Sequence, residues 1–344
     1  MSKTTVAVLG GSGYAGAEFL RLAAQHPHLE IAVVGAHSNA GSSVEAQYPG
    51  LAAAYPDVTY AAQSIEAVQG CEVVVLGLPH GQSQDLVPKL MASTPHIVDL
   101  AADFRLPSDR YERWYGEAHR APELLGAFSY GLVELCRSSI ASHAHLAAPG
   151  CYPTATALAT APVCAAGLFD GGLMVNALSG VSGAGRSLKT ELLFGEVNEN
   201  ARAYGLVEHR HTGEMEMVLS SIAGHEVGVL FTPHLVPMTR GILVTATVQA
   251  ARSTSAGELL AMYRDFYANA PAVRVTSEPP STKATLGANI AHVSVTYSER
   301  TNTIVMMSAI DNLTKGTAGQ AIQALNLMKG WPEMTGLTTT GLVP

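Results

Sequence analysis

The chain has 344 residues, of which 47% are hydrophobic and 14% charged, a balance that excludes a disordered protein and is long enough for two domains with sizeable cores. A formal net charge of -8 gives no reason to expect nucleic acid or an anionic membrane as partner, although local groups can still hold a small anionic substrate. The four cysteines make no disulfide framework, no apolar run approaches the roughly 20 residues that span a bilayer, and the first residues read straight into a strand, so a soluble cytoplasmic protein is expected.

Residues 4–9 form a β-branched apolar run, the pattern of a buried parallel strand. Gly10-Gly11-Ser12-Gly13-Tyr14-Ala15-Gly16 follows, and residues 17–25 read as a helix closed by Pro27. Strand, glycine turn and helix open a dinucleotide-binding unit, in which the turn lets backbone approach a pyrophosphate at the helix start. Gly10, Gly13 and Gly16 are spaced as Gly-x-x-Gly-x-x-Gly, a variant of the commoner fingerprint. His26 and His28 flank Pro27 in a turn and are expected to face solvent. The second strand, 29–36, ends in Ala36-His37-Ser38-Asn39 with no carboxylate to meet a ribose 2′-hydroxyl, which favours NADP over NAD. No arginine stands nearby to meet the 2′-phosphate.

Residues 71–77 make another buried strand, ending in Leu78-Pro79-His80-Gly81 before a helix at 82–91, and 96–101 a further one. This alternation argues a doubly wound parallel sheet of the α/β class, with His80 where such a sheet presents its strand ends to a ligand. Arg105 is a candidate anion contact, against the alternative of a structural arginine. Short helices are expected around 109–115 and at 132–142, and a strand at 145–148. Pro149-Gly150 then delivers Cys151 to the first turn of a long apolar helix, where the helix dipole favours thiolate. The alternative is a small buried apolar residue. Pro162 is expected to end or kink that helix.

Beyond it the strand pattern lengthens. Residues 173–179, 227–232, 241–249 and 273–276 read as strands, 256–269 as a helix, and 290–297 with 303–310 as an antiparallel hairpin. The glycine-rich loop 180–186, closed by Arg186, is a candidate phosphate or substrate loop. His209-Arg210-His211-Thr212 precedes another helix, with Thr212 as its cap. A final helix covers 316–328. The second half is thus an α+β domain of mostly antiparallel sheet. A nucleotide-binding half with a cysteine at a helix start is the inventory for covalent hydride-transfer chemistry, and His209 and His211 are both candidates for the proton partner. Backbone amides at the helix start would hold the oxyanion. The His-x-His pair has no third and fourth ligand at a recognisable spacing, so no metal site is expected.

These segments together resemble N-acetyl-γ-glutamyl-phosphate reductase, along nearly the whole chain. The matching stretches are 10–16, Leu78-Pro79-His80-Gly81, 99–105, 149–154, 179–186, 209–212 and Asp311-Asn312-Leu313-Thr314-Lys315-Gly316. The resemblance implies a Rossmann-type NADP domain at 1–148 with 313–344, and a catalytic, oligomerising domain at 149–312. It implies NADPH-dependent reduction of an N-acetylated γ-glutamyl phosphate to the semialdehyde, with phosphate released, in arginine biosynthesis by a homodimer or homotetramer. Cys151 would be the nucleophile and His211 the acid/base, with His209, Arg186, Ser182 and Arg105 on the substrate. Gly10, Ser12, Gly13, Tyr14, Ala15, Gly16, Ser38, Pro79, His80, Gly183 and Asn312 would hold the cofactor. The pattern departs from the family at Gly213, where proline is usual, and at Asn176-Ala177-Leu178, where polar or basic residues are common. Rival readings are aspartate-semialdehyde dehydrogenase, a reductase of carrier-protein-bound acyl phosphates, and a non-enzymatic NADP sensor in which Cys151 is inert.

Overall fold

The structure is a computed structural model that describes residues 3–343. It divides into two compact units. The first runs up to Glu112 and includes Glu117–Pro149 and Thr317–Leu337; the second comprises Arg113–Gly116, Gly150–Gly316 and the stretch from Thr338. The sequence reading cuts at 148/149 and 312/313, and residues 1, 2 and 344 of its ranges lie outside the described residues.

In the first unit, β1 (Thr4–Leu9), β2 (Leu29–Ala36), β3 (Ala61–Ala62), β4 (Val73–Leu76), β5 (His96–Asp99), β6 (Phe128–Tyr130) and β7 (His145–Ala147) form one sheet. Their order is β3-β2-β1-β4-β5-β7-β6, and every pairing is parallel. Alternate residues of β1 explain the two-sided burial. Val6 and Val8 join one core with Phe19, Ile322 and Leu325, while Ala7 and Leu9 join the other with Val87 and Leu90. The helices of the chain up to Pro149 are α1 (Tyr14–Ala23), α2 (Val44–Gln47), α3 (Gln82–Leu90), α4 (Ser108–Tyr115) and α5 (Val133–Ser142). α1 starts three residues before the expected position, because the turn already closes at Gly13, whose carbonyl accepts the Ala17 N–H at 2.9 Å.

His26 corrects a sequence expectation. It is 2% exposed, its Nε2 stands 2.9 Å from Asn326 Oδ1, and its ring lies 5.5 Å from that of Trp331. The chain's last turns cover it, which a local reading of a turn does not register.

The second unit holds a mixed sheet of β8 (Phe169–Ser179), β9 (Arg202–Ala203), β10 (Val229–Leu235), β11 (Ile242–Ala250), β12 (Val273–Val275), β13 (Ala291–Ser298) and β14 (Thr303–Ile310). The order is β12-β13-β14-β11-β8-β10-β9, with four antiparallel pairings and two parallel ones. One face carries α6 (Cys151–Ala165), α8 (His211–Ala223) and α9 (Ala256–Phe266); α7 (Phe194–Val197) is a single turn. The opposite face leaves Met174, Leu178 and Leu230 in solvent. The last helix, α10 (Gly319–Met328), lies in the first unit.

α6 neither ends nor breaks at Pro162. A proline has no N–H for the carbonyl four residues back, here Leu158. That carbonyl accepts the Tyr267 hydroxyl at 2.7 Å, and the next one, of Ala159, accepts the Tyr263 hydroxyl at 2.5 Å. Tyr267, just past the end of α9, thus satisfies the carbonyl that Pro162 leaves without an amide, and Tyr263 adds a bond one residue on.

Candidate active site

In the first unit, the glycine turn leaves β1 at the point where strand order reverses, with β4 as its neighbour. Open α/β sheets take ligands in the crevice beyond those strand ends. Gly10 has φ +84°, and a Cβ there would overlap the Gly77 carbonyl. Gly13 differs: a Cβ there would meet only the Gly10 oxygen, at an ordinary 3.4 Å. The protein's own packing leaves that space open for a pyrophosphate. The start of α1 carries no side-chain cap, so its first amides point outward. Ser12, Gly13, Tyr14 and Ala15 are half-buried, Gly16 is buried against the Gly10 carbonyl, and the Tyr48 hydroxyl donates to the Ser12 carbonyl at 2.8 Å. Ser38 is exposed just past the end of β2. These residues fit a dinucleotide.

Pro79 is exposed and His80 one-quarter exposed after β4. His80 Nδ1 lies 3.0 Å from the buried Asp103, which also accepts the amides of Gly81 and Ser83 and so caps α3. Burial pushes Asp103 up, but His80 and those amides outweigh it and hold the carboxyl below its ordinary value. Asp99, fully buried, is pushed up to about 7 by burial and then by the Asp103 charge. Arg105 is half-buried and donates to the Leu100 carbonyl at 2.9 Å, a contact within its own turn.

A cavity of about 400 Å³ lies in the second unit. Cys151, Tyr152, Tyr204, His209 and His211 line it, with the cations Lys189, Arg202 and Arg210 and the carboxylate of Glu191. Cys151 is half-buried at the first position of α6, so it sits on the positive end of that helix. Glu214, 1% exposed on α8, accepts the Gly150 amide at 2.7 Å and ties the two helix starts together. Behind the nucleophile stands Gly316: a Cβ there would lie 2.8 Å from Cys151 Cβ. The turn carrying Gly316 is held by Asp311, which accepts Arg240 at 2.9 Å and the amides of Leu313, Thr314 and Gly287.

His211 opens α8, and its N–H donates to His209 Nδ1 at 3.2 Å. That bond leaves the His209 proton on Nε2. Burial, then the Arg210 charge, push His209 down to about 4, so the ring is neutral near pH 7. Its centroid lies 5.0 Å from His211, 5.6 Å from Tyr152, 5.7 Å from Tyr204 and 5.3 Å from Phe231. The hydroxyls of Tyr152 and Tyr204 are hydrogen-bonded at 2.9 Å. The site can therefore offer a nucleophile, a histidine on each side of Arg210, and two positive helix ends for an oxyanion or phosphate.

The structure gathers Cys151, His209, His211 and Gly183 around the cavity. Arg186 is exposed and outside its lining. Ser182 is buried and accepts Asn312 Nδ2 at 3.0 Å, while Asn312 Oδ1 accepts the Gly241 amide at 2.7 Å. Asn176 points to the exposed face of β8. Lys189, Arg202, Tyr204 and Glu214 escaped the sequence reading. The first three come from a stretch without motif or periodicity, and Glu214 reads there as an ordinary helix residue.

Two family models match the chain: "Semialdehyde dehydrogenase, NAD binding domain" over residues 5–143 and "Semialdehyde dehydrogenase, dimerisation domain" over 151–312. An N-acetyl-gamma-glutamyl-phosphate reductase of Symbiobacterium thermophilum is 46% identical, covering 98% of each chain. One of Thermus thermophilus is 45% identical over 98% of this chain and 99% of the relative. Among solved structures, aspartate semialdehyde dehydrogenase II complexed with ASA from Vibrio cholerae superposes with a TM-score of 0.73 at 16% identity, covering 96% of this chain and 99% of that one. Aspartate semialdehyde dehydrogenase with NADP from Candida albicans gives 0.70 at 16% identity, over 95% and 99%. At that identity the likeness is one of fold.

Proposed function

This chain belongs to the N-acetyl-gamma-glutamyl-phosphate reductases of the semialdehyde dehydrogenase family, and we propose that it reduces N-acetyl-γ-glutamyl phosphate to N-acetylglutamate 5-semialdehyde with NADPH, in arginine biosynthesis. One observation carries this reading: the second-unit cavity places a helix-start cysteine and a helix-start histidine among three cations. His211 accepts the Cys151 proton, and the thiolate attacks the γ-carbonyl carbon. The amides at the start of α6 hold the resulting oxyanion. On its collapse the carbon–oxygen bond to phosphate breaks, phosphate leaves with the electron pair, and a thioester remains on Cys151. NADPH, when bound by the residues named below, would supply the hydride for this acyl carbon. His211 controls the proton on the former carbonyl oxygen as the carbon–sulfur bond breaks to release the aldehyde and restore the thiolate.

His209, neutral and with its Nδ1 taken up by the His211 amide, presents Nε2–H as a hydrogen-bond donor to substrate, which supports His211 in the acid/base role. Lys189, Arg202 and Arg210 supply the charge to hold a substrate with a carboxylate and a phosphate. Ser182, Arg186 and Arg105 remain proposed substrate contacts from the motif match. The turn Gly10–Gly16, Ser38, Pro79 and His80 would hold the cofactor, and the missing carboxylate after β2 supports NADP. The apolar sheet face at Met174, Leu178 and Leu230 supports pairing with a second copy, as a dimer or tetramer. All four cysteines are free and no described helix is long and apolar enough to cross a membrane, which supports a cytoplasmic protein.

The reverse reaction tests the reading. With NADP and phosphate, N-acetylglutamate semialdehyde should turn over and aspartate semialdehyde should not; the opposite preference would move the chain to the latter chemistry. NADP should be used in preference to NAD, and equal use would refute the reading of Ala36 to Asn39.

A further inference from the structure

We propose that Trp114 is a positioning residue for His211. The proposal rests on the reading of His211 as the proton-handling group. Trp114 lies in the last turn of α4, within the stretch Arg113–Gly116 that packs as part of the second unit. Its indole lies directly on Gly213 in the first turn of α8. A Cβ built on Gly213 would overlap the ring's Cδ1 and Nε1 and stand 2.7 Å from its Cγ. The next residue, Tyr115, takes the Arg210 guanidinium 5.4 Å from its ring centroid. Two consecutive aromatic residues therefore hold the residues on either side of His211 and Thr212.

That turn needs outside support. Its cap residue, Arg210, makes no side-chain capping bond, and the Thr212 hydroxyl has no hydrogen-bond partner. Glycine is also a weaker helix former than alanine. The weak residue is the one that admits the indole. A local choice that contradicts the helix it sits in marks a site where another requirement prevails. Here that requirement is a flat, stiff wall against the first turn, next to the Glu214 bond that ties the same turn to Gly150 beside Cys151. With both in place, the His211 backbone has little room to rotate about the helix start, and the imidazole stays aimed at the cavity.

The experiment compares Trp114→Ala, Trp114→Phe, Gly213→Ala and the double variant Trp114→Ala/Gly213→Ala. Gly213→Ala would favour an ordinary helix, yet here it should displace the indole and lower kcat at least about tenfold, with KM changing less than about threefold. Trp114→Ala should match it, Trp114→Phe should recover much of the loss, and the double variant should be no worse than either single, since both remove one contact. A kcat within about twofold of the parent in both singles, or losses that multiply in the double, would overturn the proposal. If Trp114→Ala fails to fold, Gly213→Ala decides alone. The ring resonances of His211 in the free protein give a readout that needs no turnover: they should move in each single variant, and unmoved resonances would overturn the positioning role. A parent inactive on N-acetyl-γ-glutamyl phosphate would refute the functional reading instead, and the resonances would still decide this one.

Discussion

Cys151 and His211 owe their proposed chemistry to the same circumstance, since each is the first residue of a helix whose cap residue makes no side-chain capping bond. His211→Asn should lower kcat by about 10²- to 10⁴-fold while leaving KM nearly unchanged, as loss of a general acid/base does. His209→Asn should act mainly on KM, and steady-state kinetics of the two variants would separate the roles. Asp99 gives a pH signature of a different kind. Its carboxyl, pushed up to about 7 in the fold, binds a proton there that the unfolded chain has released above an ordinary carboxyl pKa of about 4. Between those values the native state holds more protons, so its contribution to stability falls as pH rises toward 7 and stays low above it. Asp99→Asn should flatten that decline, measured as denaturation midpoint against pH from about 4 to about 8. An undiminished slope would mean that another group titrates.

α6 shows where local reading stops. From its apolar run and the Pro-Gly turn, its existence and its start at Cys151 are legible in the residues themselves. Its passage through Pro162 is not, because the donor that replaces the missing amide, Tyr267, lies about a hundred residues away in sequence. The glycine turn and the His-Arg-His segment are legible for the same reason as the helix start, being contiguous. Lys189, Arg202 and Tyr204 reach the cavity from irregular chain, where neither period nor spacing marks a function. Tyr267→Phe should leave the Leu158 carbonyl buried without its donor and cost about 1–3 kcal/mol in urea denaturation. The same change made in Pro162→Ala should cost clearly less, since alanine restores the amide that the carbonyl lacks. Equal costs in both backgrounds would show that the hydroxyl does not substitute for the missing amide.

Each of the two units has a sheet, and the sheets differ in what they leave uncovered. The parallel sheet is buried on both faces, whereas the mixed sheet presents Met174, Leu178 and Leu230 on the face away from its helices. Leu230→Glu should lower the mass measured by light scattering to that of a single chain without loss of circular dichroism; an unchanged mass would place the contact elsewhere. The length of α6 has a further consequence, for oxidation. Cys164 lies on the same helix thirteen residues beyond Cys151, which at helical rise is about 20 Å away. A disulfide needs Cα atoms within about 7 Å, so the rigid helix keeps these two sulfurs apart. Cys164 is moreover a buried thiol pushed up to about 12 by that burial, a poor resolving group even at close range. A sulfenic acid formed on Cys151 would therefore find no relief from Cys164, and its recovery would depend on another thiol.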